Sequence, residues 1–474
     1  MTEATLTAPP ARTTPDAAVG TTAAPEETGL VHRRGRWMDG WDPENLAQWE
    51  GPGRAIAKRN LVWSIFAEFL GFVIWQLWSI VVVLMPNAGF TLDSSQIFWL
   101  ISIPSLVGAT LRIPYSFLVP IFGGRNWTII SAGLLLIPAI AMAICLGNPE
   151  TPFPVLLLVA ALAGFGGGNF ASSMSNITYF YPQREKGWAL GLNAAGGNLG
   201  ASVAQFIVPV VVTIGAGAAV NLPLAGWIWV PLIVAAMIGA ALRMNNISSA
   251  KADFSGSAAA LREPHLWLLS LLYIGTFGSF IGFASVFPKL IADQFPAFSS
   301  ISVGTAAVSL AFLGALVGSL ARPIGGRLAD RFGGARVTIG VFAAMAVMTL
   351  AVMVVIPTGQ FWLFLGCFLL LFAAAGAGNG STYRMVPVVF ALRGSGDAAT
   401  GGDVSSKRKA AAALGLISAI GAYGGFLIPQ ALNLSKLGTG SYTGAFFVFV
   451  LAYVALLVLT AVVYGRKRSD GFRI

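Results

Sequence analysis

Gly326-Arg327-Leu328-Ala329-Asp330-Arg331-Phe332-Gly333-Gly334-Ala335-Arg336 is the stretch on which the reading of the fold turns. Its paired glycines permit a tight turn, and its acid and basic residues suit helix ends and contacts between neighbouring helices. Eleven residues ahead of Gly333 stands Arg322, inside an apolar run. The same arrangement occurs earlier, where Arg112 precedes Gly123-Gly124 by eleven residues. The two copies lie 210 positions apart, and so do Gly168-Asn169 and Gly378-Asn379. Ala189–Leu192 and Ala413–Leu416 both read Ala-Leu-Gly-Leu, at an offset of 224, the extra residues falling in the Gly/Ser/Lys loop before Ala410. Matching motifs at a near-constant offset describe two parallel repeats, an organisation used by transporters that rock about a central site.

A membrane helix needs about 20 mostly apolar residues. Twelve stretches qualify: Leu61–Leu84, Gln96–Pro120, Trp127–Leu146, Pro154–Tyr181, Trp188–Ile214, Ala225–Arg243, His265–Leu290, Val303–Arg322, Val337–Ile356, Phe361–Phe390, Ala410–Asn433 and Tyr442–Tyr464. The polar stretch Asn245–Glu263 divides them six and six. The expected fold is an all-α membrane protein, with twelve transmembrane helices in two six-helix bundles related by a pseudo-two-fold. The expected divisions are a tail over 1–58, bundles over 59–244 and 265–465, a linker over 245–264 and a second tail over 466–474.

Composition agrees. Of the 474 residues, 56% are hydrophobic and only 10% charged, against about 25% charged in soluble proteins. The 56 glycines suit helices that pack through small residues. The formal net charge of +10 does not point to nucleic acid here, because the basic residues are strung along short loops. The N-terminal side holds Arg33, Arg34, Arg36, Arg54, Lys58 and Arg59. Every second loop adds more: Arg125; Arg184 and Lys186; Lys251 and Arg262; Arg327, Arg331 and Arg336; Lys407, Arg408 and Lys409. Arg466, Lys467 and Arg468 follow the last stretch, while the intervening loops carry little beyond Lys289 and Lys436. The positive-inside rule then places both termini in the cytoplasm, in the inner membrane. The first forty residues, rich in Ala, Thr and Pro, read as a disordered tail without a cleavable signal. Cys145 and Cys367 stand alone, and His32 and His265 sit apart at segment edges. No disulfide framework, metal or other cofactor is therefore expected.

Two arginines inside the bilayer carry the chemistry. Eleven helical residues put Arg112 about 16 Å from its glycine turn, near the middle of a core about 30 Å thick. Arg322 has the same depth in the second half. A central arginine costs about 2.5–3.5 kcal/mol on the insertion scale, so two at matching depth need a partner. Backbone carbonyls or a distant acid would serve. A central anion site shared by the halves serves better, because a planar guanidinium offers a fork of donors that fits a flat oxyanion. Gly164–Asn176 and Gly376–Tyr383 are glycine-rich without a Gly-Lys-Ser/Thr, so neither is a nucleotide loop. Gly164/Gly168, Gly196/Gly200, Gly278/Gly282, Gly314/Gly318 and Gly421/Gly425 are each four apart, as close helix packing requires.

The Gly326–Arg336 stretch resembles the loop signature of the major facilitator superfamily between its eighth and ninth helices; the copy at Gly123-Gly124-Arg125 has lost the acid. Gly326, Asp330, Arg331, Gly333 and Arg336 are accordingly read as structural and gating residues. Gly168–Met174, Ala189–Asn193, Gly197-Asn198 and Gly378–Thr382 are similar to the two signature regions of the nitrate/nitrite porter family, NarK-like branch. Leu111–Phe117, Trp267–Phe283 and Trp41–Glu44 match as well, so the resemblance covers about residues 41–468. It implies that Arg112 and Arg322 clamp nitrate or nitrite and that Phe72, Phe170, Asn198, Tyr273 and Phe277 line the pocket of a functional monomer.

Glu68 departs from the pattern, standing where the branch has an apolar residue, and Arg384 replaces a neutral one. Either the two form one ion pair near the cytoplasmic end, or Glu68 is a proton site, as intramembrane acids often are. The leading expectation is nitrate/nitrite antiport by alternating access; the alternative is proton-coupled nitrate symport. A nitrate-binding membrane sensor is a remote third reading, and no nucleophile–base set suggests an enzyme.

Overall fold

The computed structural model describes residues 29–214, 220–250, 254–304, 306–394 and 402–465. Lys251, Arg466, Lys467, Arg468 and residues 1–28 of the expected N-terminal tail lie outside the described residues, as do the side chains of Lys407, Arg408 and Lys409. The first half runs α1 (Arg54–Leu84), α2 (Ser94–Phe122), α3 (Gly124–Cys145), α4 (Phe153–Phe180), α5 (Gln183–Thr213) and α6 (Leu224–Arg243). The second runs α7 (Pro264–Gln294), α8 (Phe312–Phe332), α9 (Gly334–Val355), α10 (Phe361–Phe390), α11 (Ala412–Thr439) and α12 (Thr443–Val463). Among the described residues, eleven of these are long and apolar enough to cross a membrane. The remaining one, α8, falls short because arginines and glycines interrupt its apolar run.

The halves meet along α1 with α7, α2 with α11 and α5 with α8. Glycines set the closest approaches, as their spacing suggests. A Cβ on Gly278 would meet the Gly421 carbonyl oxygen at 2.8 Å, and one on Gly200 would meet that of Phe69 at 2.2 Å. The repeat extends to backbone geometry. α2 ends on Gly123 at φ 86° and ψ 144°, and α8 ends on Gly333 at φ 94° and ψ 138°. Side chains larger than hydrogen essentially exclude that region, so both copies of the motif turn the chain in the same way.

Three expectations need correction. The eighth apolar stretch, read as helix over Val303–Arg322, is helical only from Phe312 and runs on to Phe332. Ile301–Val303 (β1) instead pairs antiparallel with Ala306–Val308 (β2), turning at Gly304 with φ 62°. β-branched residues either side of a glycine favour that hairpin, and the Ala307 amide anchors it on Thr213 Oγ1 of α5 at 2.9 Å. The signature Gly326–Arg336 is mostly not a loop: up to Phe332 it forms the last turns of α8, and only Gly333 turns.

The third correction concerns the N-terminal segment, which is not disordered over its described part. Val31–Arg33 (β3) pairs with Trp37–Asp39 (β4), which pairs in turn with linker residues Asn246–Ile247 (β5). This small sheet closes the basic end of the first bundle. Arg36 Nε donates to the Met244 carbonyl at 2.7 Å, Arg59 Nε to that of Arg243 at 2.7 Å and Arg125 Nε to that of Ala241 at 2.9 Å. Cations and donors at a helix C-terminus satisfy carbonyls that have no intrahelical partner, which accounts for much of the local excess of arginine. At the opposite end, Lys289 and Lys436, the two exceptions to the charge pattern, both pair with Asp293. The Tyr442 hydroxyl donates to the same carboxylate.

Gly123→Ala is expected to destabilise the first bundle by about 1–3 kcal/mol through its backbone conformation alone. The added Cβ would also lie 2.4 Å from Asn246 Oδ1. Gly326→Ala, with open space around it inside a helix, should leave stability equal or raise it by up to about 1 kcal/mol. Thermal unfolding of the two variants in detergent separates these outcomes.

Candidate functional site

Arg112 is fully buried on α2 and Arg322 nearly so on α8. One aromatic ring sits between their influences. The Arg112 guanidinium carbon lies 4.5 Å from the Phe170 ring centre, and that of Arg322 lies 5.5 Å from it. The charges are therefore no more than about 10 Å apart. At an effective dielectric constant of about 20 they repel by roughly 2 kcal/mol.

Part of this cost is met by the fold. Arg112 Nε donates to the Gly167 carbonyl at 3.1 Å, and its Nη1 donates across the interface between the halves to the Ser418 carbonyl at 2.9 Å. Its guanidinium carbon also faces the rings of Phe277 at 4.9 Å and Trp75 at 5.2 Å, and each such cation–π contact is favourable when desolvated. Gly108 and Gly167 make this possible. A Cβ on either would fall within 3 Å of Trp75, so only glycine lets α2 and α4 close around that indole. Trp75 is fixed in turn by its Nε1 donating to the Pro104 carbonyl at 2.9 Å.

What remains is a pair of unused donors. Arg112 Nη2 and Arg322 Nη1 are buried without a hydrogen-bond partner among the described residues. An unsatisfied buried donor costs about 1–3 kcal/mol, more on a charged group. Two such donors beside the same ring, on opposite halves of the molecule, are what a small anion with acceptor atoms on two sides would require.

The other expected site residues divide. Phe72 meets Phe170 edge-on at 6.2 Å, Phe277 stacks on Phe170 at 6.0 Å, and Tyr273 stacks on Phe277 at 5.2 Å. These four rings and the two arginines form one connected cluster. Asn198 on α5 is buried with both amide atoms unpartnered, and among the described residues no hydrogen bond joins it to either arginine. Gly326, Asp330, Arg331, Gly333 and Arg336 lie away from the cluster, at the α8–α9 end. There Asp330 pairs with Arg384, latching α8 to α10. Glu68 is therefore not the partner of Arg384. It is buried on α1, where Asn193 Nδ2 donates to its Oε2 at 2.6 Å.

Sequence reading missed two members of the cluster, Trp75 and Tyr383. Tyr383 lies 5.7 Å from the Arg322 guanidinium carbon and 5.8 Å from the Tyr273 ring. A signal for Trp75 was present, since it follows Phe72 by three residues and so shares its helical face.

Side-chain hydrogen bonds join the halves on one side of the site. Asn433 donates to Ser95 at 3.3 Å, Gln430 to Ser102 at 2.7 Å, Ser202 to the Phe312 carbonyl at 3.0 Å and Gln205 to the Ala284 carbonyl at 2.7 Å. Thr110 and Tyr423 meet at 2.9 Å, nearer the arginine level. All lie between Arg112 and the end of α2 that is remote from Gly123. Beyond Arg112 toward Gly123 the halves still approach each other, since a Cβ on Gly415 would stand 4.0 Å from Ser116 Cβ.

Known transporters are similar in architecture and in sequence. The Major Facilitator Superfamily model matches residues 67–429. The xylose transporter XylE from E. coli, in a partially occluded inward-open conformation, superposes with a TM-score of 0.63 at 12% identity, over 89% of this chain and 100% of its own. The nitrate/nitrite transporter NarU of Escherichia coli K12 is 43% identical over 452 residues, 90% of this chain and 96% of the relative. The probable nitrate/nitrite antiporter NarK2 of Thermus thermophilus is 36% identical over 93% of this chain and 99% of its own. With a family model spanning most of both bundles and relatives at this identity over their full length, the chain belongs to the major facilitator superfamily, in the branch of the NarU and NarK transporters.

Proposed function

We propose that this multi-pass membrane protein is a secondary transporter, not an enzyme, that moves nitrate and nitrite by alternating access as an exchanger. The single observation that carries the site is the pair of buried guanidinium donors left unpartnered on either side of Phe170. A planar monoanion accepts from both arginines at once while its faces lie against aromatic rings. Nitrate and nitrite are also weakly hydrated, so stripping their water costs less than it would for sulfate or phosphate. The relatives named for nitrate and nitrite support the substrate class, and the one named an antiporter supports exchange.

Charge supplies the mechanism. Closing an empty site would bury two repelling arginines, whereas a bound anion offsets that repulsion. The loaded carrier therefore reorients more readily than the empty one, and the outcome is exchange. Phe72, Phe170, Tyr273 and Phe277 shape the slot, and Asn198 offers free amide atoms on the α5 side. Gly326, Asp330, Arg331, Gly333 and Arg336 act at the gating end. With the basic loops in the cytoplasm and both termini there, as the positive-inside rule favours, the protein sits in the inner membrane and works as a monomer. The divisions at 58, 244, 264 and 465 then separate cytoplasmic segments from the two bundles. Proton-coupled uptake is the second reading, favoured by one observation: a fully buried carboxylate, Glu68, that has no ion pair among the described residues.

Arg112→Lys or Arg322→Lys should each lower nitrate counterflow in proteoliposomes by roughly tenfold or more, equivalent to about 1.4 kcal/mol, because a point ammonium cannot make the forked contact. Near-normal flux through either correctly inserted variant would sink the two-arginine site. Phe170→Ala removes the ring shared by both arginines. It should let chlorate, perchlorate and sulfate compete with nitrate more effectively than in the wild type, and unchanged competition in the same flux assay would count against an aromatic slot.

A further inference from the structure

The C-terminal end of α6 gathers arginines from three other elements. Arg59, on α1, donates from Nε to the Arg243 carbonyl at 2.7 Å and from Nη2 to Asn245 Oδ1 at 2.9 Å. Arg36, in the turn between β3 and β4, donates from Nε to the Met244 carbonyl at 2.7 Å, and its Nη2 reaches the Arg243 carbonyl at 3.4 Å. Arg125, at the start of α3, donates from Nε to the Ala241 carbonyl at 2.9 Å and from Nη1 to Asn126 Oδ1 at 2.9 Å. Arg243 itself ends α6 with an exposed side chain. Arg36 Nη2 and Arg59 Nε share one carbonyl oxygen, so these nitrogens are no more than about 6 Å apart. Arg36 also holds φ 61°, a left-handed conformation in which glycine is the usual occupant of a hairpin turn. The chain accepts that strain and places a guanidinium there.

Charge at this end is unbalanced. Among the described residues no acid lies within ion-pair distance of Arg36, Arg59, Arg125 or Arg243, and Asp39, on the same small sheet, pairs with Arg33 instead. Arg59 stands within electrostatic reach of Arg36 and Arg243, and Arg125 within reach of Arg36. The carbonyls that end a helix carry about half a unit of negative charge, which four cations far exceed. A guanidinium has five N–H donors. Arg36 Nη1, Arg59 Nη1 and Arg125 Nη2 make no hydrogen bond among the described residues.

An apolar surface runs up to these donors. Val234, Ile238 and Leu242 are exposed at four-residue spacing along α6, and Ile130 is exposed on α3 beside it. The two helices pack together, since a Cβ on Gly133 of α3 would stand 3.1 Å from Met237 Cε of α6. On membrane-spanning helices such a stripe meets hydrocarbon chains.

We propose that Arg36, Arg59, Arg125 and Arg243 bind the phosphate of an anionic phospholipid, with an acyl chain lying along Val234, Ile238 and Leu242. A phosphodiester presents two free oxygens to the guanidinium forks, and basic pockets between spanning helices recognise lipid head groups in this way. A zwitterionic lipid would bring an ammonium group that finds no carboxylate at these arginines, so the site selects a head group that carries no cation. The bound phosphate ties the β3–β4 turn to α1, α3 and α6, and the lipid thereby fastens the terminal sheet onto the first bundle. The site is independent of what the central arginines carry.

The test follows thermal unfolding of the full chain in detergent micelles supplemented with phosphatidylglycerol, with phosphatidylcholine, or with soluble glycerol phosphate at equal concentration. A ligand that binds only the folded chain raises its midpoint. Phosphatidylglycerol should do so, and the other two should not. Arg243→Gln should weaken the apparent affinity for phosphatidylglycerol about fivefold, Arg243→Lys should keep most of it, and Arg327→Gln, which removes an exposed cation from α8, should leave it unchanged. No stabilisation by phosphatidylglycerol, or equal stabilisation by phosphatidylcholine, overturns the proposal. Equal stabilisation by glycerol phosphate makes this a free-phosphate site and overturns the lipid. Equal losses in Arg243→Gln and Arg327→Gln reveal diffuse surface attraction and overturn the site. If Arg243→Gln does not fold, wild-type protein labelled with a photoactivatable phosphatidylglycerol decides. Cross-links on α3 or α6 near Arg125 and Arg243 support the site, and their absence there overturns it.

Discussion

Two like charges held in an apolar interior are the constraint around which the rest of the molecule is arranged. Each guanidinium carries donors that water would otherwise satisfy, and a bilayer core supplies no substitute. The fold answers with a carbonyl from its own half (Gly167), a carbonyl from the opposite half (Ser418) and aromatic faces. The Ser418 contact matters most for mechanism. It ties Arg112 to α11, so the position of this arginine depends on how the two bundles lie against each other. A movement of one bundle that opens the α2–α11 seam must break that hydrogen bond and expose another donor on the same guanidinium. Under the proposed function, binding of an anion at Arg112 and reorientation of the bundles would thereby be coupled through a single side chain.

Most of the frame was legible because it rests on periodic signals. Long apolar runs are unambiguous at membrane length, and the 210-residue offset located both arginines and both turn glycines without any structural knowledge. The failures have physical reasons. Val303–Val308 reads as apolar helix or strand with equal justice, because short β-branched runs do not distinguish the two. The N-terminal hairpin depends on Asn246 and Ile247, some 200 residues away, so nothing local announces it. In the site, Arg112, Arg322, Phe72, Phe170, Tyr273 and Phe277 meet in one cluster, whereas Asn198 has no hydrogen bond to either arginine among the described residues. The backbone carbonyls that hold Arg112 have no side-chain signature at all, and Arg384 chose Asp330, which is sequence-distant but one helix away.

The frame is symmetric while its lining is not, and packing explains why. The repeat mate of Phe170 is Gly380. A Cβ at Gly380 would stand 2.1 Å from the Arg322 carbonyl oxygen, so α8 and α10 approach too closely there for any side chain. One half therefore contributes the ring shared by both arginines, and the other contributes only backbone. The two halves diverge in the same way around Glu68. Asn193 donates an amide hydrogen bond to Glu68, whereas its repeat mate in the second half, the buried Ile417, has no donor to offer. Transport through a two-fold frame needs the halves to move alike, which the matched turns at Gly123 and Gly333 and the matched arginines preserve. Selectivity and coupling need the two walls to differ. The substitutions that make them differ fall where a glycine contact or a single polar neighbour decides what a position will accept.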